Sequence, residues 1–272
     1  MHFSLNEIRY NDIGIIIFHG LGDIINCTIL ADAVRKKYPN RKITIITSKK
    51  YQKAFDESFA NEIIGINGNP QKLDKLYKTL KPKFKLPITP TPSICGYCGD
   101  TLLEHWKNIS LTYHQNILNK PHIPITKDII DAANCWLNEK VISNNFIIIE
   151  TKYSSAQSWW TNKHTNKIIK ILSPYFDILF VNEDPEKYQN KKCIDARLPF
   201  RWIVPIFNKS KGFIGVSSSL SLMVNSNEAS NFIPCVECVR GKHWSTYLYT
   251  KKNKIILYNE NNFDRKIKKH LI

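Results

Sequence analysis

No apolar run in this chain of 272 residues reaches the roughly 18 residues needed to cross a bilayer. The first twelve residues, MHFSLNEIRYND, contain no apolar core of a secretory leader. Cysteine is thin, seven residues and an odd number, which argues against a disulfide framework and for a reducing compartment. These absences together point to the cytoplasm. Acidic residues are also scarce: 23 Asp and Glu face 39 Lys and Arg, leaving a formal charge of +16. Such a field favours anionic partners, whether a phosphorylated small molecule, nucleic acid or an acidic membrane surface. The basic residues are dispersed, however, and an Asn-, Lys- and Ile-rich background would raise the charge without any function. No RRM, KH or helix-turn-helix pattern and no short repeat is present, so a nucleic-acid partner is not expected.

What is present is the balance of a globular protein, with 43% hydrophobic and 23% charged residues. The pattern alternates strand and helix. Ile13 to Phe18 is nearly all apolar, the mark of a strand buried on both faces. HGLGD follows, then an amphipathic helix from Ile24 to Lys37, a strand from Lys42 to Thr47, a helical stretch from Lys49 to Glu57, and a strand from Glu62 to Ile66. Prolines at 82, 87, 90 and 92 keep Lys81 to Pro92 from being a central element. After a helix from Asp128 to Glu139 the alternation restarts. Strands are read at Phe146 to Ile149, Ile178 to Val181, Phe213 to Val216, Ile233 to Val239 and Lys254 to Tyr258. Helices are read at Asn162 to Leu172, Arg201 to Asn208, Leu220 to Asn225 and Asn262 to Leu271. The reading is α/β, with two Rossmann-like domains, 1–143 and 144–272, and ligands at the carboxyl ends of the strands.

Three strand-to-helix junctions carry chemistry. In Phe18-His19-Gly20-Leu21-Gly22-Asp23 the glycines Gly20 and Gly22 suit a tight turn, and Asp23 falls at the start of the helix. Its carboxylate could take a proton from a bound hydroxyl, or it could cap the helix. GLGD lacks the third glycine of a dinucleotide fingerprint. Gly215-Val216-Ser217-Ser218-Ser219-Leu220 offers hydroxyls and free amides to a phosphate, or plain serine capping. Glu150-Thr151-Lys152-Tyr153-Ser154-Ser155 ends the strand that opens the second half. There Lys152, Ser154 and Ser155 could reach the same phosphate, or Lys152 could be a solvated loop residue. Two C-x-x-C pairs, Cys95/Cys98 and Cys235/Cys238, invite a four-thiolate metal site. A strand through Cys235 and Cys238 would point the two thiols to opposite faces, so no metal is expected. Basic and aromatic residues interleave from Arg240 to Trp244 and at Tyr247 and Tyr249, either stacking a base or forming a core cluster.

GLGD followed by a helix ending in KKYPNRKITIIT resembles the opening of the family-nine, heptosyltransferase-type glycosyltransferases of the GT-B class. YHQNIL before PHIP, FIIIETKYSSAQSWW before a helix, and KGFIGVSSS resemble later segments of that family, in the same order. The resemblance implies a GT-B fold and inverting transfer of a sugar from a nucleotide diphosphate donor to a glycan or glycolipid acceptor. It implies no bound metal and no further cofactor. Asp23 would be the base, and Lys152, Ser154, Ser155, Ser217, Ser218 and Ser219 would hold the donor. It also implies a role in lipopolysaccharide-like or polysaccharide assembly; the positive charge adds the expectation of peripheral contact with an anionic membrane surface at its inner face. The last helix would pack back on the first domain or the hinge. The chain departs from the family where an Asp, a Gly and a following His are replaced by Ser217, Ser219 and neighbouring residues, and where a lysine and a Trp-Pro are missing around Trp159 and Trp160. A degenerate protein that binds nucleotide sugar or glycan without transfer is the alternative reading, and a basic nucleic-acid-binding protein is the third.

Overall fold

A computed structural model describes residues 11–18, 20–67, 73–90, 102–140, 142–151, 160–181, 186–188, 190, 193–216, 218–239, 253–257 and 262–272. The chain divides into two compact units, Met1–Pro124 and Ile125–Ile272. This boundary precedes the helix at Lys127–Glu139, which packs within the second unit.

The first unit contains β1 (Asn11–Ile17), α1 (Leu21–Lys37), β2 (Ile43–Ser48), β3 (Glu62–Ile66), α2 (Leu73–Leu80), β4 (Phe84–Ile88) and α3 (Leu102–Leu111). Its sheet runs β3-β2-β1-β4, all parallel, with Ile15 opposite Ile45. The unbroken isoleucine run of β1 is buried because the strand is interior and covered on both faces. The helical stretch expected from Lys49 to Glu57 is a 3-10 helix that ends earlier, Lys49–Ala54. The proline-rich stretch does supply a strand, β4, at the sheet edge, where a missing backbone donor costs little. Gly14 pairs with Pro87 there, and a Cβ on Gly14 would come within 2.4 Å of the Phe84 ring. Ile16, Phe18, Ile46, Ile64, Leu80 and Phe84 form the core on that side.

The second unit contains α4 (Lys127–Glu139), β5 (Phe146–Glu150), α5 (Asn162–Leu172), β6 (Asp177–Phe180), β7 (Cys193–Asp195), α6 (Ile203–Phe207), β8 (Phe213–Val216), α7 (Ser219–Met223), β9 (Cys235–Val239), β10 (Asn253–Leu257) and α8 (Phe263–Leu271). Its sheet runs β10-β9-β8-β5-β6-β7, again parallel throughout. The helix expected at Arg201 to Asn208 is a 3-10 turn, Phe200–Trp202, followed by α6. Pro205 sits in the first turn of α6, where its missing N–H is harmless. Thr161 caps α5 in a box with His164, whose Nδ1 accepts from the Thr161 amide at 2.8 Å.

Helix α8 packs differently from the expectation. Phe263, Ile267 and Leu271 join the core of the second unit beside Ile168, Leu172 and Ile147. Lys167 on α5 pairs with Asp264 at 2.8 Å and lies over the Phe263 ring. The apolar spacing 263, 267, 271 gives α8 one buried stripe, and α5 is the surface that covers it.

Candidate active site

Each sheet reverses its strand order once. In the first unit β1 is followed outward by β2 and β3 on one side and has β4 on the other. In the second, β6 and β7 lie on one side of β5, and β8, β9 and β10 on the other. Parallel sheets bind ligands at the carboxyl ends of strands flanking such a reversal, where loops diverge. The ends of β1 and of β5 with β8 are therefore the places to search, and both are junctions that the sequence singles out.

At the end of β1, Gly20 is the residue that begins α1, with φ −61° and ψ 161°. That is ordinary extended backbone, and among the described residues no atom lies within 4 Å of where a Cβ would stand, so neither conformation nor crowding from these residues requires glycine there. Gly22 lies within the first turn of α1. Asp23 is the third residue of the helix and does not cap it: the N-cap is Gly20, without a side-chain bond. Among the described residues the Asp23 carboxylate accepts no hydrogen bond of good geometry. Burial raises its pKa to about 6, opposed by the nearby Trp106 indole, which favours the charged form. The Cys27 thiol one turn on is pushed far up by burial and by Asp23's charge, so it is no competing nucleophile. The result is a partly desolvated carboxyl, ionised above about pH 6, held on rigid helix and not spent on structure.

At the other reversal, Glu150, Gly215 and Glu237 stand in register on β5, β8 and β9. Both glutamates are buried. Gly215 is the close approach here, since a Cβ would meet Glu150 at 3.0 Å. Ser218 donates its hydroxyl to Glu150 Oε2 in a short hydrogen bond. Ser218 Oγ in turn accepts from the amides of Leu220 at 3.0 Å and Ser221 at 3.3 Å, capping α7. Ser221 Oγ lies 2.8 Å from the Ser218 carbonyl and 3.4 Å from Glu237 Oε1, so the chain of contacts reaches from one glutamate to the other. Burial, and secondarily the charge of Glu237, raise Glu150 to about 8 against the stabilising Ser218 bond. Ser218 therefore fills the capping role, and its hydroxyl is fully engaged. Ser219 is the first residue of α7 and is half-buried. Lys152, Ser154, Ser155 and Ser217 lie outside the described residues, as do Trp159 and the basic-aromatic stretch from Arg240 to Tyr249.

Glu237 was not singled out by sequence reasoning, and Glu150 appeared there only as the start of a loop motif. The signal was available: a carboxyl inside or at the end of a strand otherwise wholly apolar, FIIIE and CVECV, must be buried with a partner. Trp106 carried no signal at all, because its helix was not read.

Among the described residues no group of three or more His, Cys, Asp or Glu could hold a metal. Cys238 points into the core shared with α5 and α8, whereas Cys235, three residues away on the strand, takes the opposite face. One ion cannot bind both. Cys95 and Cys98 lie outside the described residues.

No protein-family model and no curated protein sequence matches the chain. Solved structures do. A glycosyl transferase of family 9 from Veillonella parvula superposes with a TM-score of 0.68 at 14% identity, over 98% of this chain and 91% of that one. The ADP-heptose lipopolysaccharide heptosyltransferase II of E. coli gives 0.64 at 12%, over 96% and 97%. An iron-containing dodecameric heptosyltransferase of E. coli, TibC, in complex with an ADP-heptose, gives 0.59 at 12%, over 93% of this chain and 64% of its own. The chain shares the GT-B fold of these structures, with sequence widely diverged from them. Among the described residues, no helix is long and apolar enough to cross a membrane.

Proposed function

We propose that the chain is a glycosyltransferase that moves a sugar from a nucleotide diphosphate donor to a hydroxyl of a glycan or glycolipid, with inversion and without a metal. The observation that carries this is Asp23: an uncommitted, partly buried carboxyl at the reversal point of a GT-B sheet, with its pKa raised to about 6. A general base works best with a pKa near the working pH, because it must be ionised yet still attract the proton.

The balance of the step is simple. The acceptor oxygen forms a bond to the anomeric carbon as the bond from that carbon to the diphosphate oxygen breaks. The electron pair leaves with the diphosphate, and the acceptor proton passes to Asp23. Lys152, with Ser154, Ser155, Ser217 and Ser219, is assigned to the departing charge. A contact with an anionic membrane surface belongs to the same reading, drawn by the +16 charge. Structural neighbours bind ADP or an ADP-heptose, which makes ADP the first nucleotide to test.

A second reading, binding without transfer, is favoured by one observation. The first turn of α7, where a diphosphate would dock, has its N-cap hydroxyl and two amides already paired, with two buried glutamates beside it. Thermal shift with ADP and nucleotide sugars tests donor binding. A ligand at about 100 times its dissociation constant adds about 2.7 kcal/mol. A shift with ADP accompanied by sugar transfer supports the enzyme, and a shift without transfer to any acceptor offered supports the second reading. No shift with any nucleotide would overturn both.

A further inference from the structure

The seam between α1 and α3 contains polar atoms that a packed seam does not tolerate without cause. Trp106 is fully buried, and its Nε1–H has no hydrogen-bond partner among the described residues. Asn26, three residues beyond Asp23 on α1, is equally buried, and neither its Nδ2 nor its Oδ1 is paired among the described residues. Native interiors pair nearly all such groups, so each exception calls for an explanation. The indole has one close at hand. It lies near enough to Asp23 to favour the carboxylate against burial, yet completes no bond of proper length and angle. Burial and this indole are the causes that act on Asp23. Cys27 and Asp32 on α1, and Glu104, His105 and Lys107 on α3, are not among them. Ionisation is what would draw the two together, because an N–H to carboxylate bond is far stronger than one to a neutral carboxyl.

We propose that Trp106 is a positioning residue for Asp23: its Nε1–H closes onto the ionised carboxylate, fixes one oxygen, and leaves the other to receive the acceptor proton. This rests on the reading of Asp23 as the base. The arrangement answers a geometric need. A partly buried carboxylate with no fixed partner would rotate freely, and a base must hold its lone pair on the line of the hydroxyl. It also keeps a desolvated carboxyl from staying protonated at neutral pH.

The test follows the two groups together in the full chain, by NMR with labelled aspartate and tryptophan. The Trp106 indole N–H, assigned by its loss in Trp106→Phe, should titrate with the Asp23 carboxyl carbon at one midpoint near pH 6. In Asp23→Asn that titration of the indole should vanish. In Trp106→Phe, which keeps an aromatic ring in the seam, the Asp23 midpoint should rise by about 1 pH unit. The acid limb of the transfer rate should rise with it, which a merely structural tryptophan would not do. An indole resonance unmoved between about pH 4 and pH 8 overturns the proposal, and so does an unchanged Asp23 midpoint in Trp106→Phe. Should Trp106→Phe not fold, the comparison of wild type with Asp23→Asn decides alone, with the indole assigned by elimination. Coupled titration with wild-type transfer by Asp23→Asn means that Asp23 is not the base, and the proposal falls with that reading. Loss of transfer in Asp23→Asn without coupled titration sinks the proposal alone.

Discussion

Ser218 donates its hydroxyl to Glu150, tying the first turn of α7, which follows β8, to the end of the neighbouring strand β5. Through Ser221 the tie continues toward Glu237. A junction that looks from sequence like a row of free hydroxyls is thus an internal network built around two buried carboxyls. Any anion bound there must coexist with Glu150, which is possible at neutral pH because burial holds Glu150 protonated up to about pH 8.

Stability should record that protonation. Glu150 has its pKa raised from 4.5 to about 8 on folding. Between those values the folded protein holds a proton that the unfolded chain has released, so stability falls as pH rises through the window and levels off above it. Glu150→Gln keeps the shape and an acceptor for Ser218 but cannot ionise. Its melting temperature should match that of wild type near pH 4.5 and exceed it by several degrees at pH 9. Equal melting at pH 9 would show that Glu150 is not desolvated as described.

Ser218→Ala removes the cap of α7 and the partner of Glu150 together. The cap alone is worth about 1 kcal/mol. Because the lost bond favoured the charged glutamate, the Glu150 midpoint should move up as the melting temperature drops. Glycine at 218 retains much of the capping preference, so Ser218→Gly should shift the midpoint equally with a smaller drop in melting temperature.

The order of the elements was legible because parallel α/β chains write buried strands as unbroken apolar runs, and IIIF, ITIIT, FIII and FIGV are such runs. The elements that escaped are those where tertiary contact overrides the local pattern. Strand β4 exists because its prolines lie at an edge, and β7 is three residues long. Helix α8 was legible as a helix, but its destination was not, since one apolar stripe fits any apolar surface. At the sites, Asp23 was legible by position, whereas cap and base could be told apart only once the helix start fell at Gly20. Trp106, Glu150 and Glu237 meet their partners from distant parts of the chain, and no spacing rule brings them together.

Asn26 offers a test of the α1–α3 seam that is independent of catalysis. Its amide is buried with both polar atoms unpaired among the described residues, which costs about 1–3 kcal/mol per group. Leucine has nearly the same volume and needs no partner. Asn26→Leu should therefore fold with an unchanged or higher melting temperature, read by calorimetry at neutral pH. A drop of many degrees would mean that the amide is hydrogen-bonded after all, for example to an enclosed water.

The sharpest prediction concerns Asp23→Asn, because rate and stability should move in opposite directions. Asp23 is a carboxyl with its pKa raised from 3.8 to about 6, so the same linkage holds: wild type loses stability as pH rises through that window. Asparagine never ionises, and the variant should melt no lower than wild type at pH 7.5, while matching it near pH 3.8. Asparagine is also a very poor base. If Asp23 takes the acceptor proton, transfer should fall by a factor on the order of 100 or more, with ADP binding unchanged because the nucleotide is assigned to the second unit. In wild type, kcat/KM should climb through an acid limb near pH 6, as the carboxyl ionises, and that limb should be absent from whatever activity the variant keeps. A helix-capping aspartate would show neither the rate loss nor the limb. Wild-type transfer by a stably folded Asp23→Asn would remove this residue from the chemistry and leave the fold without a base on the first unit.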